Sequence, residues 1–219
     1  MLLNFRQLYE KYNMNISGVI HVGGHTGEEY VTYLQHNVPY IIFFEPIPDS
    51  YNRLCNYIAQ INSYNKHLEL PDVQIHNMAL GNKIGTGTLH LSEHVSCPQA
   101  RGASSSLLTP KKHLELHADV VFNQDIEVEI NKLDNFNGSV SNSNFINIDV
   151  QGYELEVLKG GTSTLQHVDY IMTEVNIDEV YEGCVKMAEL DEYLFAFNFK
   201  RVETNMAGGL WGDALYIKQ

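Results

Sequence analysis

A chain of 219 residues can bury one substantial core without staples, so a single domain over 1–219 is the first expectation. Its 44% apolar and 19% charged residues are those of a globular protein, and no apolar run is longer than Tyr40 to Phe44, which is too short to span a membrane. Fourteen basic against 27 acidic residues give a net charge of −13, which repels nucleic acid and suits a neutral or cationic substrate or a metal ion.

In chain order, residues 2–13 form an amphipathic first helix within an N-terminal segment, 1–15, closed by Asn13 and Asn15. This segment lacks the cationic start and apolar stretch of a secretory signal, so a cytoplasmic location is expected. Cys55, Cys97 and Cys184 are odd in number and far apart, which argues against a disulfide framework or a structural zinc site.

A strand at 18–22 then breaks into Gly23-Gly24-His25-Thr26-Gly27, and a helix follows over 27–37. Glycines there accept positive φ and let N–H groups approach a ligand, anionic groups being favoured at the helix start behind them. Such a turn serves dinucleotides, phosphates and S-adenosylmethionine alike, or no ligand at all. No Lys-Ser or Lys-Thr pair follows, which removes the P-loop, and Gly-Gly-x-x-Gly is not the dinucleotide spacing.

Tyr40 to Phe44 is a continuous apolar run, as in a strand covered on both faces. It ends at Glu45, 22 residues beyond Gly23, where nucleoside ligands have their ribose hydroxyls gripped; a solvated strand-end acid is the plainer alternative. Pro48-Asp49-Ser50 opens a helix to residue 60, and Val73 to Met78 is a third strand. Thr86 to Leu91 alternates like a strand, 92–118 dissolves into Ser, Gly and Pro, and Asp125 to Ile130 alternates acid with apolar residue. Residues 92–131 are therefore expected to be an inserted loop and hairpin, poised as a lid over an acceptor. Strands at 145–149 and 170–176, helices over 152–165 and 187–197, and strands at 199–203 and 215–217 complete the chain.

Strands alternating with helices predict an α/β sheet with ligands at the C-terminal strand ends. That rule gathers Gly23 to Gly27, Glu45, Asn77, Asp149, Glu174 and Asn176. Asp149 and Glu174 each end an apolar strand, where a carboxylate needs a partner. Two carboxylates and an amide oxygen suit Mg²⁺ or Mn²⁺, and hydrogen bonds to neighbouring loops account for them equally.

Several blocks together carry a family resemblance: Val19-Ile-His-Val-Gly-Gly-His-Thr-Gly-Glu-Glu, Phe44-Glu-Pro-Ile-Pro, Ser104-Ser-Ser-Leu-Leu, Lys132-Leu-Asp, Asn147-Ile-Asp-Val-Gln-Gly-Tyr-Glu-Leu-Glu-Val-Leu-Lys-Gly and Trp211-Gly-Asp-Ala-Leu-Tyr-Ile. In this order, from about residue 17 to 217, the chain resembles the FkbM-type S-adenosylmethionine-dependent methyltransferases. The resemblance implies a Rossmann-like class I fold, a mostly parallel seven-stranded sheet flanked by helices, and O-methylation of a small or sugar hydroxyl such as that of a deoxysugar. Similar forms stand beside capsule or glycan genes in bacteria and large DNA viruses, where the location would be the host cytoplasm.

Carried over, the resemblance places the methionine part of the cofactor at Gly23, Gly24, His25 and Gly27, the ribose at Glu45, and the adenine near Asn77, Met78 and Ala79. Asp149 is the first candidate for base or metal ligand, and Glu174 with Asn176 would complete a metal site by analogy with metal-dependent O-methyltransferases. Three positions depart from the family: His21 stands for an aspartate, Asn147 for a lysine and Gln151 for a glutamate. His113 and His117, four apart, share one face of a helical segment and are candidates for a base on the lid; surface histidines are the alternative. Ser105 and Ser106 are candidates for the acceptor pocket, and Trp211 beside Asp213 for a sugar-stacking wall, with loop composition and packing as the respective alternatives. A sugar or glycan acceptor is the expected partner, with a homodimer also considered. The rival readings are a silent nucleotide- or glycan-binding module, suggested by Asn147 and Gln151, and a dehydrogenase, which the glycine spacing disfavours.

Overall fold

The computed structural model describes residues 2–219. Helix α1 (Phe5–Lys11) is capped by Asn4, whose side chain accepts from the Gln7 N–H, and ends two residues before Asn13, which turns the chain at φ +47°. Strand β1 (Val19–Val22), helix α2 (Tyr30–Gln35), strand β2 (Tyr40–Phe44), helix α3 (Pro48–Tyr64) and strand β3 (Asp72–His76) follow. Helix α3 starts on a proline, where the missing N–H costs nothing, and buries Leu54 and Ile58 one turn apart.

A second, smaller sheet comes next. It comprises β4 (Ala79–Leu80), β5 (Gly85–His94) and β6 (Val120–Asn131), in the order β4-β6-β5, with the short helix α4 (His113–Leu116) in the β5–β6 connection. Asp125, Glu127 and Glu129 face outward from β6, while Val128 packs inward on Ile47, Leu89 and Leu91. The hairpin thus begins earlier, and is longer, than the alternation of 86–91 and 125–130 alone suggested. Helix α5 (Asn137–Val140), strand β7 (Phe145–Ile148), helix α6 (Glu154–Lys159), strand β8 (Tyr170–Asn176), helix α7 (Met187–Phe195) and strands β9 (Phe199–Ala207) and β10 (Trp211–Lys218) complete the chain.

The main sheet has seven strands in the order β3-β2-β1-β7-β8-β10-β9. From β3 to β8 every pairing is parallel; β10 runs antiparallel to both neighbours. This is the expected Rossmann-like α/β architecture. Alternate residues of the central strands feed two cores: Ile20, Ile42 and Ile146 pack with α6 and α7, while Val19, Ile41 and Phe145 pack with α1, α2 and α3. Several boundaries differ from the sequence pattern, α6 and β10 most instructively. Helix α6 is shorter than 152–165, because Gly160 and Gly161 stop it. Strand β10 starts at Trp211 rather than 215, because Trp211 to Ala214 pair with both β8 and β9 and need no alternation of their own.

Candidate active site

All parallel strands end on one edge, and the residues there enclose a cavity of about 300 Å³. Of the residues singled out from sequence, Gly23, His25, Glu45, Met78, Ala79, Ser105 and Asp149 line it, together with Gln151. The turn after β1 is drawn onto β2 by two N–H groups, Gly23 and Gly24, which donate to the Phe44 carbonyl at 2.9 and 3.0 Å. Gly23 has φ +89°, and a Cβ there would collide with the main-chain oxygen of Asp149, so only glycine lets the ends of β1 and β7 meet. Gly24 and Gly27 lie behind the turn, against Phe43 and Leu54, rather than in the cavity lining.

Glu45 is buried, and its carboxylate is held by main chain. His25, itself at φ +41°, donates its N–H to Oε2 at 2.7 Å, and Ile47 donates to Oε1 at 2.8 Å. Burial pushes this carboxyl up to about 7, against the pull of those two donors. Hydroxyl donors from a ligand would replace the hydration that burial removed, which is what a ribose offers. Asn77 does not line the cavity. Its amide donates to the Glu45 and Pro46 carbonyls at 2.9 and 3.1 Å and so fixes the turn that carries Glu45.

Four acids meet at the other end of the site. Asp149 follows β7, Glu174 lies in β8, Asp213 faces Glu174 across the β8–β10 pair, and Glu154 opens α6. Burial, and then the Asp149 charge, drive Glu174 well above the usual carboxylate range. Burial lifts Glu154 to about 7, although the Gly152 N–H donates to its Oε1 at 2.9 Å. Asp213 is also raised by burial, and it accepts the N–H groups of Leu2 and Leu3. It therefore anchors the N-terminal segment instead of lining the cavity.

The centre of this cluster is a side-chain amide. Gln151, at φ +54°, donates Nε2 to Asp149 Oδ1 at 2.7 Å and to Glu174 Oε2 at 2.8 Å. Asn176 turns its nitrogen, not its oxygen, toward Glu174 at 3.4 Å. The residues expected to bind Mg²⁺ or Mn²⁺ thus do not present three oxygens to one point. Among the described residues, no group of three or more His, Cys, Asp or Glu is arranged to hold a metal ion. The donor set does not fit the expected cation, and no step is assigned to one.

A buried polar group lies behind His21, which lines the cavity. The Asn147 amide donates to the Tyr33 hydroxyl at 2.9 Å, and that hydroxyl lies 3.1 Å from His21 Nδ1. Burial lowers His21 to about 4, so the ring is neutral and accepts the Tyr33 proton. His21, which the sequence left as a core histidine or a ligand, is a hydrogen-bonded wall of the cavity.

His113, His117, Trp211 and Ser106 are placed elsewhere. Helix α4 is a single turn, and it buries His113 against Phe122 and Tyr181 at ring separations of 5.4 and 5.3 Å. Burial, with His117 and His94 nearby, lowers His113 to about 4. His117 sits 6.3 Å from Trp211, and none of these three rings lines the cavity, so neither the lid base nor the stacking wall is found where the sequence put it. Ser106 lies beneath the lining and donates to the Gln151 carbonyl at 2.7 Å, while Ser105 Oγ accepts the Ser92 N–H at 2.9 Å.

Two contributors were not singled out as site residues from sequence. Gln151 carried a signal, since it stood out as a departure two positions after Asp149. Tyr181 carried none: its hydroxyl reaches Ser104 O and Gln151 Oε1, at 2.8 and 2.9 Å, only because the loop after β8 folds back over the insertion.

A sheet of this order, with a glycine turn after β1 and a buried carboxylate after β2, is a Rossmann-like fold of the kind that class I methyltransferases share. The family model described as "Methyltransferase FkbM domain" matches residues 21–201, and the chain belongs to that family. It is 26% identical over 200 residues to the 2-O-methyltransferase NoeI of Sinorhizobium fredii, covering 90% of this chain and 77% of that protein. A shorter match, 46% over 39 residues, links it to the hexuronic acid methyltransferase AglP of Haloferax volcanii, covering 18% of this chain and 16% of that one. The solved FkbM methyltransferase of Methylobacillus flagellatus superposes with a TM-score of 0.58 at 14% identity, covering 91% of this chain but only 43% of the other.

Proposed function

We propose that the chain transfers a methyl group from S-adenosylmethionine to a hydroxyl of a sugar or glycan. The carrying observation is that Asp149 and Glu45 open onto one cavity from opposite ends, the first free of any basic partner and the second held by main chain. The cofactor supplies an electrophilic methyl; the S–CH₃ bond breaks as the O–CH₃ bond forms, and the electron pair stays on sulfur. Glu45 accepts the ribose hydroxyls, Gly23 and His25 shape the methionine end, and Met78 and Ala79 offer an apolar wall for the adenine. Asp149 accepts the proton of the attacking hydroxyl and orients that oxygen in line. A sugar acceptor is supported by the names of the two relatives, a 2-O-methyltransferase and a hexuronic acid methyltransferase. The test is formation of S-adenosylhomocysteine with a panel of oligosaccharides carrying free deoxysugar and uronic acid hydroxyls. Product with one or more, abolished in D149N, is expected; D149N turning over at the wild-type rate would remove Asp149 from the chemistry.

A further inference from the structure

We infer that Gln151 is a positioning residue whose amide stands where a divalent cation would otherwise bridge Asp149 and Glu174, so that this site works with an uncharged clamp. The inference rests on the reading of Asp149 as proton acceptor, which it deepens.

A buried carboxylate, Glu174, facing a half-buried one, Asp149, requires donors between the two, and a cation or a pair of N–H groups can supply these. Here a single NH₂ uses both hydrogens, one toward Asp149 Oδ1 at 2.7 Å and one toward Glu174 Oε2 at 2.8 Å. The amide is not free to leave. Its Oε1 lies 2.9 Å from the Tyr181 hydroxyl, and its main-chain oxygen accepts from Ser106 at 2.7 Å. The Tyr181 side chain is buried, and the backbone at Gln151 is fixed in the left-handed region next to Gly152 at φ +99°. No lysine or arginine pairs with Asp149, Glu154, Glu174 or Asp213 among the described residues.

The consequence is specific. A neutral amide fixes Oδ1 of Asp149 through a hydrogen bond without bringing a positive charge into the cluster. A metal ion between the same two acids would orient them equally well but would bring that charge. Gln151 therefore separates orientation from charge neutralisation.

The experiment is a Mn²⁺ titration of the protein saturated with S-adenosylhomocysteine, following free Mn²⁺ by electron paramagnetic resonance, for wild type, Q151E and Q151A. Wild type is expected to bind no stoichiometric Mn²⁺ below 1 mM on the order of weak carboxylate sites. Q151E, which adds a carboxylate, and Q151A, which vacates the space, are expected to gain one ion each, lost again when D149N is added. One tightly bound Mn²⁺ in wild type that D149N removes would overturn the inference, as would variants that stay as silent as wild type. Binding of S-adenosylhomocysteine by each variant, measured alongside, reports folding; its absence in wild type would instead count against the methyltransferase reading.

Discussion

Glu45 and Asp149 both end buried parallel strands on the same edge of the sheet, and the protein secures them by different means. Glu45 is gripped by two main-chain N–H groups, from His25 and Ile47, and its geometry follows from the path of the chain. Asp149 is tied through one side chain, Gln151, which also holds Glu174. A grip made of backbone survives most substitutions around it, whereas a grip made of one amide can be rewritten by a single change. The first suits a fixed part such as a ribose site; the second lets the reacting end be tuned.

Removing the acid of the second site is the sharpest way to break this comparison. D149N is expected to lower kcat about 10²–10⁴-fold, in the range of a lost proton acceptor, while S-adenosylhomocysteine affinity stays close to that of wild type. Calorimetry alongside turnover checks both halves, and an equal loss of both would make Asp149 a binding residue. E45A should do the converse at smaller size. Losing hydrogen bonds to a charged group costs about 1.5–3 kcal/mol, or roughly 10–100-fold in affinity for S-adenosylhomocysteine, measured by the same titration.

Acidity distinguishes the two sites from ordinary surface carboxylates. Burial lifts Glu45 and Glu154 to about 7 in the folded chain, above the ordinary 4.5 of a glutamate, so the folded state holds protons that the unfolded state has released. Their cost to stability therefore grows as pH rises through 7. His21 and His113, lowered to about 4, oppose this mainly below the ordinary histidine value of 6.5 and more weakly for about a pH unit above it. Between pH 6.5 and 8 the unliganded protein should lose about 1–2 kcal/mol from these two acids, or roughly 3–6 °C in Tm by scanning fluorimetry. A Tm that rises over this interval would contradict the burial argument.

The smallest effect concerns the outer aromatic cluster. His113 is buried with Nδ1 unpartnered, so H113F removes a desolvated polar atom and should leave turnover unchanged and stability within about 1 kcal/mol of wild type. A folded H113F without activity would restore the lid-base role to this histidine.

These contrasts also explain what the sequence disclosed. Buried parallel strands announce themselves as apolar runs, so β1, β2, β7 and β8 were legible, with Asp149 after β7 and Glu174 in β8, as was Glu45 through its distance from Gly23. Antiparallel edges were less so: β10 begins at Trp211 because two neighbours pair with it, a fact no local pattern carries. The reach of the β5–β6 hairpin, the inward turn of His113 and the clasp of Tyr181 on Gln151 all depend on contacts between distant segments. The metal expectation meets a related difficulty. Ligand types can be read from a sequence, but whether an amide shows its oxygen or its nitrogen cannot.

The central claim, a cofactor site with its ribose end at Glu45, is tested most directly by calorimetric titration of wild type and E45A with S-adenosylhomocysteine. The account expects saturable one-to-one binding to wild type that weakens in E45A as the chain stays folded. No binding to folded wild type at any pH between 6.5 and 8, or equal binding to both proteins, would contradict it.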